Sequence, residues 1–482
     1  MYPKPETDIV KHFVRLCDGP KLCSSVDSIF SGDIILSKIT PRTLKGFRDL
    51  LPSQALARER VLEIARQVYQ SYGFSPIETP ALEYLEILTG KGSDETDKQL
   101  YRFTDHGNRE VGMRFDLTVP FARFAAQHIS TLGTPFKRYH MGTVWRGENT
   151  QRGRYREFMQ CDFDTIGTTS ANSDLEMVLV VHDLLTAIGI KKFTIRINDR
   201  RILSGILEVL GLADKTTHVL RCLDKIRKSP RDVVANELEG QGVAVQAIEC
   251  LLGLGEMNGS MADVLRELGD LAGQSEVGKN GVEAVGKLLK GLSEVGIGDD
   301  HITLDPSIAR GLDYYTGIVL ESFLDDLPSL GSVCSGGRYD NLAELYTKQF
   351  LPGVGASLGI DRLLAGLEEL GRLEAVETPA AIFLVYFDES HLGDYLRIAA
   401  TLRQHGISVD LYPDPKKLGQ QLKWAGKKGF QKALVLGSDE FKAGTAQLKD
   451  LATQQSVNLG WQGDCAVLAN LIQSELQNTS DG

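Results

Sequence analysis

Residues 158–164 read FMQCDFD, and period-two alternation sorts them by chemistry. Met159, Cys161 and Phe163 fall on one side of a strand, while Phe158, Gln160, Asp162 and Asp164 fall on the other. Residues 113–119 behave alike, with Met113, Phe115, Leu117 and Val119 facing one way and Arg114, Asp116 and Thr118 the other. Either stretch alone is explained by a strand with one solvated face. Two of them flanking an arginine-rich loop weaken that explanation and favour a sheet with a polar working face. The loop, 146–157, reads RGENTQRGRYRE and sets Arg146, Arg152, Arg154 and Arg156 around Gly147 and Gly153, with Glu148 and Glu157 beside them. Guanidinium forks bind phosphate oxygens in pairs, and Phe158 offers a flat ring for a base. A solvated charged loop is the competing explanation. The chain has no G-x-x-x-x-G-K-[ST], so a nucleotide site here is not a P-loop.

Around this centre the chain changes character several times. Leu56, Val61, Ile64, Ala65 and Val68 predict a helix from Ser53 to Tyr72. Short strands and turns are expected over 74–166, a helix over 172–190 and a strand over 193–197. Residues 201–300 carry helical Leu and Val periodicity between strand-like stretches, as an inserted helical module would. Ile360, Leu363, Leu364 and Leu367 mark a further amphipathic helix. Past the polar stretch 369–379, residues 380–387 (AAIFLVYF) read as a buried parallel strand. Helices at 392–404 and 416–428 and strands at 407–412 and 432–436 complete a βαβαβ rhythm, a second α/β domain.

Composition closes off other classes. At ~100–200 residues per domain, 482 residues make two to four domains, with hydrophobic and charged fractions of 42% and 24%. No apolar run approaches the ~18 residues of a membrane helix, and Asp8, Lys11 and Arg15 interrupt anything like a signal peptide. Seven scattered cysteines without C-x-x-C point to a reducing, cytoplasmic setting. The net charge of −11 argues against blanket phosphate neutralisation, although local basic patches remain compatible with nucleic acid. Nine histidines lack zinc-ligand spacing.

Three more segments carry chemistry. Residues 309–317, ARGLDYYTG, set an arginine beside two tyrosines and a turn glycine, which a hairpin with packed aromatics would equally show. Residues 332–340, SVCSGGRYD, supply Gly336-Gly337, where a backbone can approach a ligand. Residues 353–362, GVGASLGIDR, run glycine-rich into the last helix of the first domain, with Arg362 off its apolar stripe.

In order, these pieces resemble histidyl-tRNA synthetase, a class II (class IIa) aminoacyl-tRNA synthetase, from about Thr43 to about Ile472. LKGFRDLLP (44–52) opens the resemblance, ETPALE (78–83) is similar to motif 1, FKRYHMGTVWRGENTQRGRYREFMQCDFDTIG (136–167) to motif 2 and 353–362 to motif 3. Motifs 2 and 3 alone imply only the class; RGLDYYTG with GGRYD implies the histidine enzyme. The fold implied is an α/β (α+β) catalytic domain: a class II antiparallel sheet flanked by helices, over 41–372, with a helical insertion at about 201–300. A C-terminal α/β anticodon-binding domain over 378–475 would follow, and residues 1–40 would be a poorly ordered tail.

By resemblance, Arg146 takes the ATP α-phosphate, and Arg310 bridges the substrate carboxylate and that phosphate. Arg362 lies near the γ-phosphate, Arg154 and Arg156 assist, Glu148 takes the adenine amino group and Phe158 stacks on the ring. Asp116, Thr118 and Gln160, with Leu117 between the first two, hold the histidine α-amino group, and Asp164, Tyr314 and Tyr315 face the imidazole. The form RFDLT (114–118) is nearer the eukaryotic-type branch than the usual bacterial one, with Asp in place of Glu. Mg2+ is implied with ATP as substrate, without a protein metal motif, and the partners are L-histidine, tRNA(His) and a second copy in a homodimer. Residues 416–432 hold six lysines and no acid. As a helix they bury Leu418, Leu422 and Ala425 and set Lys416, Lys423 and Lys427 on another face, suited to a phosphate backbone or to plain solvation. The alternative to a ligase is a non-catalytic paralogue that regulates histidine biosynthesis or senses tRNA.

Overall fold

The computed structural model describes residues 39–90, 94–226, 229–309, 315–373 and 376–478. The N-terminal stretch 1–38 lies outside them. A compact unit begins at Gly46. Its first eleven strands are β1 Ser75–Pro76, β2 Leu82–Tyr84, β3 Arg102–Thr104, β4 Glu110–Met113, β5 Phe136–Trp145, β6 Glu157–Ile166, β7 Phe193–Asp199, β8 Ile302–Leu304, β9 Ile318–Leu324, β10 Cys334–Tyr339 and β11 Gly353–Gly359. Eight form one sheet in the order β1-β5-β6-β11-β10-β9-β7-β8, antiparallel except for the outer pairs β1–β5 and β7–β8. This is the expected antiparallel sheet with helices against it. The other three make a small sheet, β2-β4-β3.

One face of the large sheet is apolar for the reason alternation predicts. Cys161 and Phe163 of β6 are buried against Val61, Ala65 and Tyr69 of the helix Pro52–Ser71. Tyr69 donates its hydroxyl to the Cys161 carbonyl at 3.1 Å, and its ring lies 5.1 Å from that of Phe163. Each such fully buried side chain is worth about 1.5–3 kcal/mol. The opposite face of β6 is free to be polar.

The stretch 113–119 departs from the expected strand. Pairing stops at Met113, and a helix starts at Thr118 and runs to Leu132. The Asp116 carboxylate accepts the Val119 N–H at 2.9 Å, and Pro120 falls in the first turn, where its missing N–H costs nothing. A cap and a proline thus override a pattern that matched period two over only seven residues.

A series of helices, from Arg200–Val209 to Glu276–Glu294, lies in sequence between β7 and β8, which are neighbours in the sheet. Ile202 and Ile206 at one end and Leu288 and Leu292 at the other join the same apolar core as Phe193 and Ile195 of β7. Beyond 376 come β12 Ile382–Leu384, β13 Val409–Leu411, β14 Lys432–Val435, β15 Thr445–Asp450 and β16 Ser456–Gly460. β12 pairs in parallel with β13 and β14, as the apolar run 380–387 predicts, and an antiparallel hairpin, β15–β16, extends the sheet.

The lysine-rich helix differs from its expected form. It covers Leu418–Lys427, so Lys416 precedes it, with its ammonium 3.5 Å from the Asp414 carboxylate. Leu418 is 37% exposed, and the buried positions are Gln421 and Ala425, with Leu422 partly buried. Gln421 takes the inner position because its amide hydrogen-bonds both the N–H and the carbonyl of Tyr386 beyond β12. Lys416, Lys423 and Lys427 are all exposed.

Candidate active site

The polar face of β6 carries Phe158, Gln160, Asp162 and Asp164 in a row. On β11 they face Gly359, Ser357 and Gly355 from Gln160 onward, and on β5 Asp162 and Asp164 face His140 and Arg138. This row lies inside the protein: Asp162 and Asp164 are 2% and 3% exposed and Arg138 is not exposed at all. Asp164 accepts the Tyr339 hydroxyl at 2.5 Å and pairs with Arg138 Nη2 at 2.6 Å. Gly355 makes room for it, because a Cβ there would come within 2.2 Å of Asp164 Oδ1. Gln160 donates to the Ser357 hydroxyl at 2.8 Å.

Burial governs the titration of this floor. It pushes the Asp162 carboxyl up to about 7, against the pull of Arg138. Asp164 and Asp116 are raised by burial too, opposed in Asp164 by Arg138 and the Tyr339 hydrogen bond, and in Asp116 chiefly by the Val119 N–H. His140 is pushed down to about 3 by burial and by the arginines Arg138 and Arg114, so it stays a neutral imidazole.

Next to this acidic floor a cleft of about 210 Å3 opens. Its walls include Arg146, Glu148, Arg154, Phe158, Gln160 and Arg362. Arg146 is held between two rings, with its guanidinium carbon 4.3 Å from the Phe115 centroid and 5.1 Å from that of Phe158. Its Nε donates to the Phe115 carbonyl at 3.0 Å. Arg154 lies 3.6 Å from the Glu148 carboxylate, and Arg362 donates to the Ser332 carbonyl at 2.6 Å. A cationic cleft beside a carboxylate-lined floor suits a polyphosphate and a positively charged group bound side by side.

The structure thus brings six of the expected nucleotide and substrate residues into one cleft and sets Asp164 below them. Tyr315 packs on Gly337 and beside Tyr339, whose hydroxyl reaches Asp164. Asp116 acts through space on Asp164 and sits at the start of the helix Thr118–Leu132. Four positions make their contacts within the protein. Arg156 does not line the cleft; it braces the loop by donating to the Glu148 carbonyl at 3.2 Å. Leu117 is fully buried in the core and offers only its carbonyl, to Arg138 at 3.3 Å. Arg114 is a buried brace for the carbonyls of Thr79 and Thr143. The space above Gly336 and Gly337 is filled by protein, the Gly355 carbonyl and the Ile318 carbonyl with the Tyr315 ring. Arg310 and Tyr314 lie outside the described residues.

Sequence reasoning missed Arg138, Tyr339, and the pair Arg48–Asp361. Asp361 hydrogen-bonds Arg48 and accepts the Met159 N–H at 2.8 Å, which ties Arg48 and β6 to the helix Ile360–Glu369. Arg48 also lies over the Tyr155 ring at 3.7 Å. A signal for Arg138 existed: β5 alternates as β6 does and puts Arg138 and His140 on one side.

Comparison with known proteins agrees with this geometry. A family model described as histidyl-tRNA synthetase matches residues 46–363, and one described as anticodon binding domain matches 381–467. A histidine–tRNA ligase of Rhodopirellula baltica is 58% identical over 424 residues, covering 88% of this chain and 96% of that protein. One from Wolinella succinogenes is 47% identical over 416 residues, 86% and 94% of the two chains. The crystal structure of histidyl-tRNA synthetase from Nostoc sp. PCC 7120 superposes with a TM-score of 0.83 at 34% identity, over 91% of this chain and 100% of that one. An ATP phosphoribosyltransferase regulatory subunit/histidyl-tRNA synthetase from Bacillus halodurans superposes at 0.68 over 82% of this chain and 98% of that one, but at 22% identity it shares the fold alone.

Proposed function

The chain belongs to the histidyl-tRNA synthetase family, and from that premise we propose how its residues divide the work. The reaction is that of a histidine–tRNA ligase: histidine is activated by ATP and passed to tRNA. The observation that carries the division of labour is the junction of two opposite fields, the arginine cleft and the aspartate floor.

In the first step a carboxylate oxygen of histidine attacks the α-phosphorus, and the bond to the β-phosphate oxygen breaks to release pyrophosphate. The nucleophile is already ionised, so no base is needed; the barrier is the approach of two anions. Arg146, fixed between two rings, takes the α-phosphate, and Arg310 bridges it to the carboxylate. Arg362 and Arg154 hold the outgoing phosphates, with Arg156 bracing the loop behind them. Phe158 stacks on adenine, and Glu148 accepts from its amino group. At the floor Asp116, Thr118 and Gln160 hold the ammonium, while Asp164 and the tyrosines Tyr314 and Tyr315 read the imidazole. In the second step the terminal ribose hydroxyl of tRNA attacks the acyl carbon and AMP leaves.

Among the described residues no group of three or more His, Cys, Asp or Glu side chains could hold a metal. Mg2+, which the family implies, would come on the ATP phosphates and neutralise charge there. Leu82, Tyr84 and Phe103 are exposed together on the small sheet β2-β4-β3, next to the motif 1 segment, and support a homodimer through that surface. No described helix is long and apolar enough to cross a membrane, and Cys161, Cys222, Cys250, Cys334 and Cys465 are free thiols, which supports a cytoplasmic setting.

Exchange of labelled pyrophosphate into ATP tests the first step without tRNA. Among the amino acids histidine alone should support it; a folded protein that exchanges with none of them would be the regulatory paralogue. The lysines give a second expectation. Changing Lys416, Lys423 and Lys427 to alanine should weaken tRNA binding and spare exchange. The slope of log affinity against log salt should fall by roughly 0.7–0.9 for each phosphate no longer neutralised. An unchanged slope would reduce these lysines to solvated surface.

A further inference from the structure

Among the described residues Arg138 is the largest fully buried side chain, yet none of the steps above uses it. A buried guanidinium is costly to desolvate and persists where its partners need it. Its partners here belong to both halves of the histidine pocket. Across the β5–β6 ladder it faces Asp164 directly and pairs with it at 2.6 Å. Its plane lies 4.4 Å from the Phe121 ring, and Nη2 reaches the Leu117 carbonyl at 3.3 Å. Leu117 directly precedes the helix Thr118–Leu132 and Phe121 lies in its opening turns, next to Thr118 at its start and to Asp116 just before it.

We propose that Arg138 is the positioning residue of the specificity pocket, locking Asp164 as a fixed acceptor so that the pocket takes only a ring that offers an N–H. This rests on the reading that Asp164 faces the imidazole. Arg138 forms an ion pair with Oδ2 of Asp164, Tyr339 donates its hydroxyl to Oδ1, and the Gly355 backbone closes the space beside Oδ1. Held so in its ionised form, which the Arg138 guanidinium and the Tyr339 hydroxyl favour, the carboxylate accepts and has no proton to give. It discriminates by acceptance alone, so a ring without an N–H there leaves it buried and unpaired. Were it a neutral carboxyl, it could donate to a bare ring nitrogen as well, and the choice would blur.

The charged and titratable groups that face Asp164 among the described residues are Arg138 on β5, Asp162 on β6, Asp116 before the helix Thr118–Leu132 and Tyr339 on β10. The aspartates and burial favour its neutral form, and Arg138 and the Tyr339 hydroxyl oppose them. Removing the guanidinium raises the carboxyl's pKa, and below that value the acceptor is lost. Histidine binding should then weaken as pH falls and recover as it rises.

The experiment is pyrophosphate exchange by the full chain between about pH 6 and pH 9, comparing Arg138→Met, Arg138→Lys and Asp164→Asn with the parent. Arg138→Met should raise the histidine KM about 100-fold near neutrality, with the penalty shrinking toward alkaline pH and the ATP KM unmoved. Arg138→Lys keeps charge without the fork, so its KM should rise about 10-fold with the parent's pH profile. An Arg138→Met enzyme with parental histidine KM and pH profile, or one whose histidine and ATP constants rise together, overturns the proposal. If Arg138→Met does not fold, Arg138→Lys decides, and an unchanged histidine KM rejects the role. Asp164→Asn separates the premise: if it leaves the histidine KM alone, the reading of Asp164 itself fails. If it raises KM while the Arg138 variants do nothing, only the positioning role fails.

Discussion

Replacing Arg146 by alanine should lower histidine-dependent pyrophosphate exchange by about a thousandfold, or ~4 kcal/mol of transition-state stabilisation. The size follows from what holds this guanidinium. It is clamped by Phe115 and Phe158 and by the Phe115 carbonyl, so its remaining N–H groups are fixed before ATP arrives. Charge that builds on the α-phosphate oxygens meets a donor that need not reorganise. The loss should appear mainly in kcat. Arg146 is only half-buried and makes no ion pair with the floor carboxylates, so its removal costs folding no more than about 1–2 kcal/mol. Exchange within about tenfold of the parent would reject the assignment. Arg146→Lys should recover little, since a point charge on a flexible stem cannot lie flat between two rings.

Gly355→Ala should be the most destabilising single methyl in the catalytic sheet. The added Cβ would lie 2.2 Å from Asp164 Oδ1 and 2.3 Å from the Phe163 carbonyl oxygen. That carbonyl belongs to the strand next to β11 in the sheet, and Asp164 is pinned by Arg138 and Tyr339, so neither neighbour can give way cheaply. A cost of about 3 kcal/mol is expected, seen as a fall of about 6–12 °C in the unfolding midpoint. Histidine activation should be lost even well below that midpoint, because the carboxylate must move. A midpoint within about 2 °C of the parent, with normal activity, would mean that β6 and β11 are far more pliant than their ladder implies.

The sequence was most legible where a short period met a buried face. Strand β6 could be read to the residue, because alternation of Cys161 and Phe163 with Asp162 and Asp164 survives folding unchanged. The parallel core of the C-terminal part was legible for the opposite reason, an unbroken apolar run that needs cover on both faces. The same alternation failed at 114–119, where one capping carboxylate and a proline in the first turn were enough to start a helix. Helical spacing failed at Leu418, which gave its inner place to Gln421 because an amide, unlike leucine, can satisfy the Tyr386 backbone. Arg156 and Arg114 show a third limit. An arginine's charge is written in the sequence, but whether its fork meets a ligand or a backbone carbonyl depends on which strand end lies within reach.

By itself the sequence determined the family, the composition of the catalytic face and the separation of a cationic loop from an acidic strand, because those depend on residue type and local spacing. Tertiary structure alone decided which charges cooperate. Asp164 and Arg138 are twenty-six positions apart, Asp164 and Tyr339 a hundred and seventy-five, and Arg48 and Asp361 three hundred and thirteen. Such pairs exist only once the sheet is assembled. In its dry interior a carboxylate's charge is set by the few groups that touch it, and the order of the chain does not say which those are.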